Sequence, residues 1–255
     1  MFLDGGLKHS YESQVRAAKS RAAAIAGTES FTEFVDVVRR ESPWRFDGKI
    51  DVGRYLHLVD RHLRKFVPRL LACVGGDIRA VFDFGCGSGS GSIAIAMIFP
   101  NAHCHGVDIS QAEVSIARAR ARLYGVEDRC RFDVISDGQA LPDPSDSFDL
   151  CMCSSVLEYV TNWDARRLCV QEMGRILAPQ GIIFMSVPNR LYPVESHSGK
   201  LGWNYFPNLL KARMYGSTMW EVKALARPHL FKLHRTPLYR LFTPWTIFGL
   251  RKGPA

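Results

Sequence analysis

The sequence predicts an α/β chain: a mostly parallel, seven-stranded sheet with helices on both faces, behind a helical N-terminal cap. Three observations carry this. From residue 80 onward, short apolar runs alternate with helical patterns, the texture of β-α-β units on a parallel sheet. The first run breaks into alternating glycines just before a helix, in Val81-Phe82-Asp83-Phe84-Gly85-Cys86-Gly87-Ser88-Gly89. The 255 residues, 47% hydrophobic and 23% charged, suffice for one substantial core with additions.

Taken in order, residues 11–76 read as helical, with 54–74 carrying apolar residues on one side and ending at Gly75 and Gly76. Strands are predicted at 80–84, 104–108, 131–135, 148–153 and 181–187, with helices at 92–99, 110–124 and 163–177. The second of these helices is the best marked: Ser110 and Glu113 form a capping box, Val114, Ala117, Ala121 and Tyr124 make one stripe, and Gly125 closes it. Beyond Asn189 an irregular stretch rich in Pro, Tyr and Trp precedes a helix at 217–226 and strands at 230–234 and 245–250. The division expected is a cap over 1–76 and a main domain over 77–255 with an insertion at about 189–228.

Composition excludes several classes. The longest mid-chain apolar stretch, residues 93–99, is far short of the roughly 18 residues a membrane span needs. The first twenty residues have no apolar core behind a positive end, so they do not read as a signal peptide, and a cytoplasmic location is expected. Seven cysteines make an odd count without a C-x-x-C pair, which favours small buried apolar residues over disulfides or a zinc site. His103 and His105 flank Cys104, but no third ligand stands at metal spacing, and no metal is expected. The net charge of +8 is localised: residues 196–255 hold ten Lys or Arg against one acid, Glu221, together with ten aromatics, so the body of the chain is nearly neutral.

The glycine-rich run is where a bound cofactor belongs. Alternating glycines let the backbone turn tightly and let a ligand approach the main chain, and the helix that follows presents free N–H groups. The next strand ends in Gly106-Val107-Asp108-Ile109-Ser110, and an acid at that tip can accept hydrogen bonds from both hydroxyls of a ribose.

The segments VFDFGCGSG, GVDIS, SDGQALPDPSDSFDL and QEMGRILAPQG, in this order over about residues 78–190, resemble the successive motifs of class I S-adenosylmethionine-dependent methyltransferases, most closely the type-11 methyltransferase domain group. The resemblance implies a Rossmann-like methyltransferase fold with S-adenosylmethionine as cofactor. It implies that Gly85, Gly87 and Gly89 cradle the methionine part with Asp83 near its amino group, that Asp108 holds the ribose, and that Ile109 packs on the adenine. Asp137 with Gly138 would meet the adenine edge, and Cys153 to Ser155 would lie close to the cofactor after the fourth strand. Cys153 departs from the pattern, standing where Ser or Asn is frequent, and Glu158-Tyr159 stands where His residues often occur.

The rival reading is an NAD-type oxidoreductase, because Gly89-x-Gly91-x-x-Ala94 satisfies a G-x-G-x-x-A pattern. That pattern is displaced from the strand end, where the first glycine is Gly85; counted from Gly85 it fails at Ser90, and no later Tyr-x-x-x-Lys pair follows.

A methyl group on a sulfonium is already activated, so acid–base machinery is needed only where a hydroxyl or ammonium acceptor must lose a proton. The candidate base is His197, with Glu195 orienting it or binding acceptor, and Glu158 is a further candidate in the loop after the fourth strand. The expected acceptor is a small-molecule, lipid-like or glycan-type compound methylated on oxygen or nitrogen. The basic, aromatic last quarter suits an anionic one and peripheral contact with a membrane surface. A nucleic acid is the alternative acceptor, disfavoured by the lack of an added binding module and of an Asn-Pro-Pro-Tyr-type motif.

Overall fold

The computed structural model describes residues 28–43, 61–74, 78–136, 138–160, 162–194, 199–202, 232–234 and 245–254, together with positions 13, 16, 17, 20, 24, 25, 58, 59, 205, 221, 224 and 225. Two compact units emerge, Met1–Ser136 and Asp137–Ala255. The sequence texture instead placed a boundary at 76/77; a separate cap over 1–76 remains a proposal.

In the first unit, helix α1 (Glu29–Glu41) begins where the Thr28 hydroxyl accepts from Phe31 N–H, and it buries Phe34, Val37 and Val38 on one side. The helix expected over 54–74 is interrupted. A π-helical turn, His62–Phe66, leads into α2 (Val67–Val74), and Val67 N–H bonds the His62 carbonyl five residues back. Pro68 lacks the N–H that a regular turn would send to the carbonyl of residue 64, and the widened turn sits just ahead of it.

Strand β1 (Ala80–Phe84) is followed by α3 (Ser90–Ile98), β2 (His103–Asp108), α4 (Gln111–Tyr124) and β3 (Cys130–Val134). The three strands run parallel in the order β3-β2-β1, with Asp83 level with Gly106 and Asp108 level with Val134. Helix α3 buries residues all round its circumference, as its almost wholly apolar sequence requires. Helix α4 ends at Gly125 with φ 61°, whose N–H bonds Arg122 O while Val126 N–H bonds Ala121 O. That is the glycine stop the sequence predicts. The capping box is only half formed: Ser110 Oγ accepts from Glu113 N–H at 3.3 Å, but Ser110 N–H goes to Asp108 Oδ1 at 2.9 Å.

In the second unit, β4 (Phe148–Ser154) pairs parallel with β5 (Leu177–Pro188), with α5 (Trp163–Ile176) between them in sequence. Strands β6 (Lys232–His234) and β7 (Trp245–Arg251) complete it in the order β4-β5-β7-β6, with β7 antiparallel to both neighbours. The chain thus has the seven predicted strands and the α/β class. The strand expected at 181–187 starts four residues early. Pro179-Gln180-Gly181 reads as a turn, but Phe148 already pairs with Leu177, and the register shift before Leu150–Ile182 absorbs Gln180 at φ 66° as an irregularity inside one strand. The helix predicted at 217–226 lies outside the described residues except for Glu221, Ala224 and Leu225, which are helical. Among the described residues no helix is long and apolar enough to cross a membrane.

Candidate active site

In the first unit the end of β1 becomes a turn of left-handed glycines. Gly85, Gly87 and Gly89 have φ of 70°, 51° and 74°, a region that L side chains enter only at a cost. Strand β2 anchors the turn: Gly85 N–H and Cys86 N–H both bond Val107 O, and Gly87 N–H donates to Asp108 Oδ2 at 2.8 Å. Asp108 therefore spans the turn and the start of α4, holding Gly87 through one oxygen and Ser110 through the other. A carboxylate has about four lone-pair sites, so it can accept further hydrogen bonds.

The glycines answer to different demands. A Cβ on Gly87 would meet only Glu113 Oε2, at 4.0 Å, so the main chain there is open to a ligand. A Cβ on Gly89 would fall 2.8 Å from the Phe132 ring and 2.9 Å from the Ala117 methyl, and one on Gly106 would fall 2.7 Å from the same ring. Packing on Phe132, not a ligand, excludes a side chain at Gly89 and Gly106.

Asp83 is buried and accepts from Ser92 Oγ at 2.6 Å, which ties the tip of β1 to the first turn of α3. Burial pushes its carboxyl up to about 6, against the lowering effect of the Ser92 hydrogen bond. The Cys86 thiol is raised well above its ordinary range, first by burial and then by Asp83, Asp108 and Glu113, so it stays protonated and inert. Three carboxyl groups thus surround the turn, an electrostatic setting for a cation and a poor one for a pyrophosphate. Ile109, at the tip of β2, is 65% exposed, an apolar surface free to cover a planar ring.

In the second unit β4 ends at the half-buried Ser154, whose hydroxyl lies 2.7 Å from that of Ser186 on β5. The next residue, Ser155, has φ 61° and its N–H bonds Ser186 O. A non-glycine residue in the left-handed region at a strand tip is a mark of local constraint. Cys153 is fully buried within the strand. The chain then makes a short turn in which Tyr159 N–H bonds Val156 O, and Arg166 Nε from α5 holds Val160 O at 2.6 Å. Glu158 is fully buried there, beside the Arg166 charge, while Tyr159 is 57% exposed. Burial pushes the Glu158 carboxyl up to about 7, which a backbone hydrogen bond and then the Arg166 charge only partly oppose. Gly138 is exposed with φ 73°. Asp137, Glu195 and His197 lie outside the described residues, as do most of the basic positions in the last quarter.

Some contributors escape sequence reading. Read from sequence, Arg120 takes no role and Glu113 only that of a capping-box partner, yet Arg120 is fully buried against Ser88 and Glu113 borders Gly87. The Arg118-x-Arg120-x-Arg122 alternation, which puts Arg120 on the helix face opposite Arg118 and Arg122, was the available signal. His105 pairs with Asp133 at 3.1 Å, and among the described residues no group of three or more His, Cys, Asp or Glu could hold a metal ion.

Residues 81–181 match the family described as a methyltransferase domain. No sequence match is found among curated proteins. Among solved structures, the chain is similar to the PH0226 protein from Pyrococcus horikoshii, at 18% identity over 84% of this chain and 97% of the other, with a TM-score of 0.58. It is similar to an S-adenosylmethionine-dependent methyltransferase from Methanosarcina mazei, at 16% identity over 71% and 96%, with a TM-score of 0.54. It is also similar to the geranyl diphosphate C-methyltransferase from Streptomyces coelicolor, solved with Mg2+, geranyl-S-thiolodiphosphate and S-adenosylhomocysteine, at 16% identity over 81% and 83%, with a TM-score of 0.56. At these identities the likeness to solved structures is one of fold. Residues 81–181 thus match a methyltransferase domain, and the fold that runs through them is the Rossmann-like fold of the solved methyltransferase structures.

Proposed function

We propose that this chain transfers the methyl group of S-adenosylmethionine to an oxygen or nitrogen atom of a small-molecule, lipid or glycan-type acceptor of anionic character. The observation that carries the cofactor half is the glycine turn, open at Gly87 and ringed by Asp83, Asp108 and Glu113, which suits a ligand with a sulfonium and an ammonium group. In this reading Asp108 binds the ribose hydroxyls, Gly85 and Gly87 admit the methionine part along the main chain, and Gly89 shapes the turn. Asp83 stabilises the cationic end from within, Ile109 covers the adenine, Asp137 and Gly138 meet its edge, and the chain from Cys153 onward faces the methyl group.

The sulfonium supplies an activated methyl, so the protein's task is alignment, exclusion of water and, for an O–H or N–H acceptor, removal of a proton. Glu158 is the base in this proposal, since a carboxyl raised to about 7 is poised to take a proton near neutral pH. Glu195 and His197 are proposed to contact acceptor from the loop after β5.

Calorimetry tests the cofactor half. S-adenosylmethionine and S-adenosylhomocysteine should bind, and Asp108→Ala should weaken both by about 1.5–3 kcal/mol, the worth of a hydrogen bond to a charged group. Binding of NAD without either sulfur compound would overturn the reading.

The acceptor half rests on the charge of residues 196–255, ten cations against one acid. Such a field concentrates anionic ligands and weakens with salt, since the screening length is about 8 Å at about 0.15 M. Reversing Lys211, Arg213 and Lys223 to Glu should raise KM for the acceptor and flatten its salt dependence while cofactor affinity holds. If acceptor kinetics and binding to anionic vesicles both stay as in the wild type, a neutral acceptor replaces the anionic one.

A further inference from the structure

Arg120 has no exposed surface. Removing a guanidinium from water is costly unless its surroundings compensate, so its contacts carry information. Its Nη1 donates to the Ser88 carbonyl and to the Ser88 hydroxyl, each at 3.0 Å. Its guanidinium carbon lies 5.5 Å from the ring centroid of Phe34 in α1, itself fully buried. The same two helices are joined at the surface by Arg122 and Glu33, 3.0 Å apart, a half-exposed pair that adds little by itself.

Ser88 is the residue between the left-handed Gly87 and Gly89. Glycines lose more backbone freedom on ordering than other residues, so a turn built on three of them needs external fastening. Strand β2 fastens its first half, through Val107 O and Asp108. At Ser88 the side chain of Arg120 supplies two fastenings, one to the carbonyl and one to the hydroxyl.

We propose that Arg120 is a positioning residue that holds the glycine turn in its cofactor-binding shape, and that Phe34 keeps Arg120 in place, so that helix α1 tunes cofactor affinity. This rests on the reading that the turn binds S-adenosylmethionine. A turn held in its bound geometry before the ligand arrives binds more tightly because less ordering remains to be done.

The test is calorimetric titration of S-adenosylhomocysteine into the full chain and its variants, with thermal melting and amide exchange of the ligand-free proteins. Arg120→Met should weaken binding by roughly 10- to 100-fold, the loss expected for charged hydrogen bonds. Arg120→Lys, which keeps the charge but not the fork, should recover part of that. Ser88→Ala and Phe34→Leu should each weaken binding several-fold. Amide exchange at residues 85–89 should quicken in all four while the interior of α3 holds, a local signature that general destabilisation does not give. A folded Arg120→Met variant with wild-type affinity overturns the proposal; if that variant does not fold, wild-type affinity in both Ser88→Ala and Phe34→Leu overturns it. Wild-type protein that fails to bind overturns the cofactor reading as well, whereas wild-type binding with unaffected variants removes the role of Arg120 alone.

Discussion

Replacing Glu158 by Gln should lower turnover by roughly 10²- to 10⁴-fold, the usual contribution of a general base, with cofactor affinity little changed. Wild-type turnover should rise with pH until about 7 and level off above, because only the ionised carboxylate can take a proton and its carboxyl is raised to about 7. The Gln variant should lose that limb. Its stability should move the other way. The folded Glu158 carboxyl is raised from 4.5, so the native state binds more protons than the unfolded one between pH 4.5 and 7, and stability is lost as pH rises through that window. The penalty is on the order of 3 kcal/mol once the group is fully ionised. Gln has the same shape without the charge, so the variant should be more stable than the wild type at pH 8 and about equal to it at pH 4. Urea denaturation at both values and a turnover–pH profile check the pair. Full turnover in the variant would remove Glu158 as the base and leave Glu195 and His197 as the proposed candidates. Asp83, raised to about 6 by burial, adds to the same downward slope at the lower end of this window.

What the sequence makes legible follows the reach of its signals. The three-strand unit around the glycine turn reads correctly because each feature is local: an apolar run, glycines at alternate positions, Ser110 at a helix start and Gly125 at its end. Three features did not read, two of them because a partner distant in the chain decides them. Asp108 takes the Ser110 N–H that a capping box assigns to Glu113, since the tip of β2 brings its carboxylate there. Pairing with Phe148 keeps Leu177–Gln180 in a strand where Pro179 and Gly181 suggest a turn. Arg120 looks like surface until α1 closes over it with Phe34. Glu158 was legible as an acid in the loop after the fourth strand, but its raised pKa was not, because burial is a property of the fold.

The glycine turn holds the second large effect. Gly89→Ala should destabilise the protein by about 2–5 kcal/mol, summing the cost of a left-handed alanine and of overpacking a close contact. The overpacking is concrete: the new methyl would lie 2.8 Å from Phe132 Cζ and 2.9 Å from Ala117 Cβ, both in the interior, where neither can withdraw into solvent. Gly87→Ala faces no such wall, its nearest neighbour being Glu113 Oε2 at 4.0 Å, so it should cost only the left-handed strain, about 1–2 kcal/mol. Its methyl would stand where the proposed cofactor approaches the main chain, so it should weaken S-adenosylhomocysteine binding more than its small loss of stability suggests. Phe132→Leu should restore part of the stability in the Gly89→Ala background and none in the Gly87→Ala background, because only the former clashes with that ring. Denaturation midpoints and calorimetric affinities on the two single and two double variants measure this. Equal losses of stability at the two positions would mean that the turn, and not the Phe132 wall, sets the requirement for glycine at residue 89.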